Sequence, residues 1–228
     1  MAARVLNPDY YLTLVTVHVV LFAYWLGGDW GVFVCSRFIA RPDLPVPERL
    51  RFLDALMRID ILPRSAIVLL PVVGLHLAAI RGSLPLSSSA VGFAWALGLA
   101  WLALVWVLFL RRGTPFADRF VRFDIGFRVL LIVVMIGVAV PSLVRGAPVR
   151  EPWIASKLLI YSALLGVGLW LRTVIRSWRL GFQRMRAGED GAATAPLFAA
   201  SLRRGRWVAW LFWMLIVAMA WLGINQPS

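Results

Sequence analysis

Along this chain, stretches of mostly apolar residues alternate with short polar segments rich in arginine. Six apolar stretches run from roughly Tyr10 to Cys35, Leu62 to Ile80, Ala90 to Leu110, Ile125 to Leu143, Ile154 to Ile175 and Trp207 to Ile224. A helix needs about 20 such residues to cross a hydrocarbon core of roughly 30 Å, where backbone groups left unpaired find no water. The pattern therefore predicts an all-α integral membrane protein, a six-transmembrane-helix bundle forming one domain over residues 1–228. Pro71, inside the second stretch, marks a candidate kink. Between the first two stretches, Leu50, Phe52, Leu53 and Leu56 recur among Arg and Asp, the pattern of an amphipathic helix lying at the membrane interface. The longest connection, about Arg176 to Arg206, reads as a flexible, turn-rich linker around Ala187-Gly188-Glu189-Asp190-Gly191.

Charge orients the bundle. Numbering sides alternately, the first, third and fifth connections and their flanks carry nineteen arginines, among them Arg37, Arg49, Arg58, Arg128, Arg172, Arg203 and Arg206. The opposite side has Arg4, Arg81, Arg145 and Arg150, with Lys157 just inside a helix. Positive charge resists translocation, so the arginine-rich side is expected to be cytoplasmic and both termini non-cytoplasmic. The N-terminal residues lack the basic region, apolar core and cleavage site of a removable signal, so the first helix is expected to stay.

Composition narrows the function classes. A content of 61% hydrophobic and 15% charged residues is that of a lipid-embedded chain. The net charge of +13 sits in short connections between apolar stretches, which argues against nucleic acid as a partner. Cys35 is the single cysteine, so neither an intrachain disulfide nor a Cys-x-x-Cys motif exists, and it reads as a small filler near a helix end. Phosphate-binding glycine loops, Gly-x-Ser-x-Gly and His-Glu-x-x-His are all missing, which leaves nucleotide-driven and hydrolytic enzymes without machinery.

Ionisable groups inside a span are costly and mark functional candidates. Once arginines able to snorkel from the helix ends are set aside, His18, Asp29, His76 and Lys157 remain. His18 lies roughly 12 Å inside the first span and His76 roughly 7 Å inside the second, both from the non-cytoplasmic side, where Lys157 also enters. The two histidines, the only ones in the chain, could ligate one metal centre. Haem iron accepts axial imidazole, and Arg81, Arg145, Arg150 or Lys157 could meet its propionates. Copper is the alternative, with Met135 or Met214 as a soft third ligand. The plainer readings are a histidine hydrogen-bonded to a neighbouring helix and a snorkelling lysine. Asp29 follows Gly27 and Gly28, where another backbone can approach closely, and is expected to pair with Arg58 or Arg64 or to relay protons. Trp30, Trp101, Trp153 and Trp207 read as interfacial anchors.

The runs Val17-His18-Val19-Val20 through Trp25-Leu26-Gly27-Gly28, Leu56-Met57-Arg58 through Leu62-Pro63, Val73-Gly74-Leu75 and Trp153 to Leu158 resemble two related membrane families. These are the bacterial membrane protoporphyrinogen oxidases and the copper-resistance protein D family. The resemblance maps onto His18, Met57, Arg58, Pro63 and Lys157. It covers about half the chain, and the hairpin from about Ala90 to Leu143 lies outside it. It implies haem b, with His18 as ligand and Lys157 in the active or cofactor region.

The expected function is thus a haem-b-binding redox protein of a bacterial inner membrane, an oxidoreductase or electron carrier acting on a quinol or porphyrinogen. His18 and His76 are the expected metal ligands, Lys157 the catalytic residue, and Arg81, Arg145 and Arg150 the cofactor-binding cations. A quinone or redox partner protein, or a second copy, is the expected company beside the bilayer. The alternatives are a copper or small-solute permease and a structural membrane subunit.

Overall fold

The computed structural model describes residues 8–188 and 191–227. Arg4 and the rest of the N-terminal segment weighed against a signal peptide, and Glu189 and Asp190 of the fifth connection, lie outside the described residues. Seven helices follow in order: α1 Pro8–Ile39, α2 Val46–Ile59, α3 Ile61–Ile80, α4 Ser88–Leu110, α5 Pro115–Arg145, α6 Pro152–Arg186 and α7 Gly191–Asn225, with no strand among the described residues. Six of them are long and apolar enough to cross a membrane: α1, α3 with α2 leading into it, α4, α5, α6 and α7. The fold is the all-α membrane bundle that the apolar pattern predicts. Large apolar side chains such as Phe93, Val133, Val134 and Ile224 stay exposed on these helices, as lipid-facing residues do.

Local chemistry sets the helix starts. Ser87 Oγ accepts from Ala90 N–H at 3.2 Å and caps α4. Thr114 Oγ1 does the same for Ala117 N–H at 3.3 Å, and Pro115 takes the first helical position, so α5 begins ten residues before the expected Ile125. Gly113, with φ of +82°, makes the turn that separates it from α4. α3 continues through Pro71 without a break in helical assignment.

The chain divides into two compact units. Unit 1 is residues 8–29 and 60–122; unit 2 is residues 30–59, 123–188 and 191–227. In unit 1, α3 packs against α4. A Cβ on Gly28 of α1 would lie 2.7 Å from Pro63 Cδ, so only glycine lets α1 come this close to the start of α3. Gly27, the other half of the expected close approach, faces nothing within 4 Å.

In unit 2, α6 packs against α7, and the fifth connection departs from its reading as a flexible linker. α6 continues to Arg186 and α7 begins at Gly191. Trp178, Phe182 and Met185 recur at helical spacing and bury one face together with Phe198, Ile39 and Leu56. The rings of Phe182 and Phe198 lie 4.9 Å apart, those of Trp178 and Phe198 5.4 Å. α2, the amphipathic helix the sequence shows, supplies Leu50, Leu53 and Met57 to the same cluster, against which Cys35 also packs.

Arg49 is fully buried at the centre of this cluster. Its Nε donates to the Ile39 carbonyl at 2.7 Å, and its guanidinium stands 5.3 Å from the Phe198 ring centroid. Arg49→Ala removes both interactions and is expected to cost about 2 kcal/mol, read as a lower thermal midpoint of the detergent-purified protein. An unchanged midpoint would show that the cluster does not depend on Arg49.

Candidate functional site

Unit 1 holds the two histidines. His18 of α1 lies against α3 where Gly74 has no side chain: a Cβ there would sit 3.3 Å from His18 Cε1. His76 is two residues further along α3, about 200° round the helix. Its Nδ1 accepts from Trp95 Nε1 of α4 at 3.1 Å, and Tyr10 meets the ring edge-on with centroids 5.8 Å apart. Occupied as an acceptor, Nδ1 of a neutral His76 carries no proton, so Nε2 is the N–H. Neither nitrogen then offers a lone pair, and a metal on His76 would have to break the Trp95 bond. A metal-bound imidazole takes the reverse arrangement, donating from its second nitrogen. In donor chemistry, unit 1 thus suits a haem held by one imidazole, His18, better than a bis-histidine centre. Arg81 belongs to the same unit, exposed at the end of α3.

Lys157, Arg145 and Arg150 belong to unit 2, as do the two candidate methionines. Lys157 Nζ lies over α7 at Gly223, where a Cβ would come within 2.5 Å, and 5.3 Å from the Trp153 ring centroid. It forms no ion pair among the described residues. Arg145 and Arg150 are exposed at the end of α5 and in the turn before α6. Met135 and Met214 also lie in this unit, Met214 66% exposed. The described residues contain no group of three His, Cys, Asp or Glu side chains able to hold a metal.

The most enclosed charges are ones the sequence reading passed over. Asp124 of α5 is completely buried, and its Oδ2 accepts from Arg128 Nε at 3.1 Å, one turn along the same helix, and from Arg172 Nη2 of α6. Arg128 is only 6% exposed. Both arginines had been set aside as snorkelling; Arg128 turns inward because a carboxylate waits there. The signal was the Asp-x-x-x-Arg spacing at the arginine-rich end of the fourth apolar stretch, hidden because Asp124 falls one residue before it. Tyr161, buried on α6, lies within electrostatic reach of Arg128.

Other expectations resolve in detail. Arg58 pairs with Asp54 at 2.9 Å and Arg64 with Asp60 at 2.6 Å; Asp29 lies beside the Asp60 and Arg64 charges. Trp101 is 6% exposed inside unit 1, which corrects its reading as an interfacial anchor: α4 turns it inward with Val105 and Gly98. Trp207 is well exposed, as an anchor would be.

No family model matches the chain, and neither a curated protein nor a solved structure matches it. The chemistry of the site therefore rests on the residues themselves.

One carboxylate holding two guanidiniums away from water makes a sharp prediction. Removing Asp124 leaves two enclosed positive charges facing each other, so Asp124→Asn is expected to destabilise by about 3–5 kcal/mol. The joint replacement of Asp124, Arg128 and Arg172 by Leu, Met and Met should recover most of the thermal midpoint in detergent. A single variant as stable as the wild type would show that the triad bears no structural load.

Proposed function

We propose that this chain is a haem-b-binding redox protein of a bacterial inner membrane, with His18 as the one imidazole that would hold the iron. The observation that carries the reading is the seating of His18, deep in an apolar span, against the bare backbone of Gly74, while Trp95 commits His76 elsewhere. An imidazole inside a span is expensive unless it serves a purpose, and the sequence around His18, Pro63 and Lys157 resembles the protoporphyrinogen oxidase pattern. The arginine bias supports an orientation with both termini outside the cytoplasm.

In this reading bound haem supplies one-electron exchange. The residues of the chain do the rest. Neutral His18 would hold the iron, and Arg81 of the same unit is a guanidinium available to a propionate. Lys157 has no carboxylate of its own among the described residues, and its ammonium rests between the Trp153 ring and Gly223. It is suited to hold the carboxylate of a porphyrinogen-type substrate. A quinol, a partner protein or a second copy would complete electron flow. No particular observation favours the copper reading.

Protein purified from haem-replete cells is expected to show a reduced-minus-oxidised α band and a pyridine haemochrome of b type. His18→Ala should abolish both, Gly74→Val should weaken them by displacing the ring, and His76→Ala should retain them. A featureless spectrum would overturn the reading, and equal loss in His18→Ala and His76→Ala would overturn the single-imidazole form. Because imidazole binds iron only when neutral, haem retention in the wild type is expected to be full at neutral pH and to fall as pH is lowered through the ligand's titration.

A further inference from the structure

Unit 2 contains a cavity of about 540 Å³ between the end of α1 and the arginine-bearing part of α7, within the range of about 300–1,000 Å³ typical of ligand clefts. Trp30 and Phe33 of α1 and Trp210 of α7 line its aromatic end, and Arg37 of α1 with Arg203 and Arg206 of α7 follow further along, with small and aliphatic residues such as Ala40 and Leu202 beside them. The aromatic end is built tightly around Trp213: the Trp30 and Trp213 centroids are 4.7 Å apart, Phe33 and Trp213 5.2 Å, Trp30 and Trp210 6.5 Å.

The antiparallel helices bring the arginines together beyond those rings. Arg37 follows Trp30 by seven residues, about 10 Å of helix, and Arg206 and Arg203 precede Trp210 by four and seven, about 6 and 10 Å. None of the three arginines has an ion pair among the described residues, and the cavity lining contains no acidic side chain. The apolar part of α7 begins beside this ring of charge, at Trp207.

We infer that this cavity is a binding site for an acidic phospholipid, its phosphate held by Arg37, Arg203 and Arg206 and the start of an acyl chain lying along Trp30, Phe33 and Trp210. The recognised chemistry is a phosphate anion joined to an apolar tail. Three guanidiniums lining one cavity without a counter-charge among the described residues attract an anion more strongly than any one of them alone. A free phosphate would leave the aromatic end of the cavity unused, whereas a lipid fills both ends, and basic pockets beside spans select acidic headgroups. This site is independent of haem.

The test is a titration of the detergent-purified full chain, followed by native mass spectrometry, with dioctanoyl phosphatidylglycerol, dioctanoyl phosphatidylcholine and inorganic phosphate. Phosphatidylglycerol is expected to bind saturably and at least about tenfold more tightly than phosphatidylcholine, with Arg37→Gln/Arg203→Gln weakening it by about tenfold or more. Arg112→Gln, outside the cavity, should leave binding unchanged. Equal binding of the two lipids, or an unaffected double variant, would overturn the proposal. Inorganic phosphate binding as tightly as phosphatidylglycerol would overturn it in favour of a soluble anion. Should the double variant fail to fold, a photoactivatable phosphatidylglycerol on the wild type decides: cross-links within residues 199–210 support the site, and their absence there overturns it.

Discussion

Hydrocarbon offers no hydrogen-bond partner to a peptide group, and this one constraint shapes the chain. Each crossing must satisfy its own backbone, so each is a helix, and each helix keeps its polar side chains near its ends or turns them inward. Caps and turns then appear where the chain leaves the apolar region. Ser87, Thr114 and Pro115 start helices there, and Gly113 turns the chain between α4 and α5. The same constraint explains why close approach relies on glycine: Gly28, Gly74 and Gly223 each remove a side chain exactly where a ring or an ammonium needs the room, and so no polar group must be left facing lipid.

Burying charge under this constraint demands a counter-charge within the same shell. Asp124 meets it for two arginines at once, which ties α5 to α6 at their arginine-rich ends. Arg49 meets it differently. It donates to the Ile39 carbonyl and lies against the Phe198 ring, both part of the buried cluster. A guanidinium tolerates this because its charge is delocalised and weakly hydrated, which an ammonium's is not. The region outside the spans thereby acquires an ordered core rather than a set of loose connections.

The six spans and the amphipathic α2 were legible because hydropathy and helical period are properties of single segments. The helical fifth connection was not. Trp178, Phe182, Met185 and Phe198 are spaced for one buried face, yet the arginines and glycines between them lower the mean hydropathy, and the face matters only once α2 is there to cover it. The Asp124 triad was hidden for a related reason. Whether an arginine near a helix end snorkels or turns inward is decided by what a different helix places beside it, and Arg172 lies 44 residues beyond Arg128 in the chain. The depth of His18 and His76 could be read from their positions, but the choice of Trp95 as the partner of His76 depends on how α4 faces α3.

The surplus of cations carries the functional argument furthest. With 24 basic and 11 acidic residues, the chain carries a net charge of +13, wherever the helices place it. Most of the cations can reach water from exposed positions, where an unpaired arginine costs little. Lys157 is placed otherwise, half-buried beside the Trp153 ring at the border of a span. The exposed trio of Arg37, Arg203 and Arg206 stands apart by lining one cavity together with aromatic rings, where a single anion would meet all three. The ion pairs among the described residues go to Arg41, Arg51, Arg58, Arg64, Arg128 and Arg172, and none goes to these cations. That division separates charges that hold the fold from charges that meet a ligand.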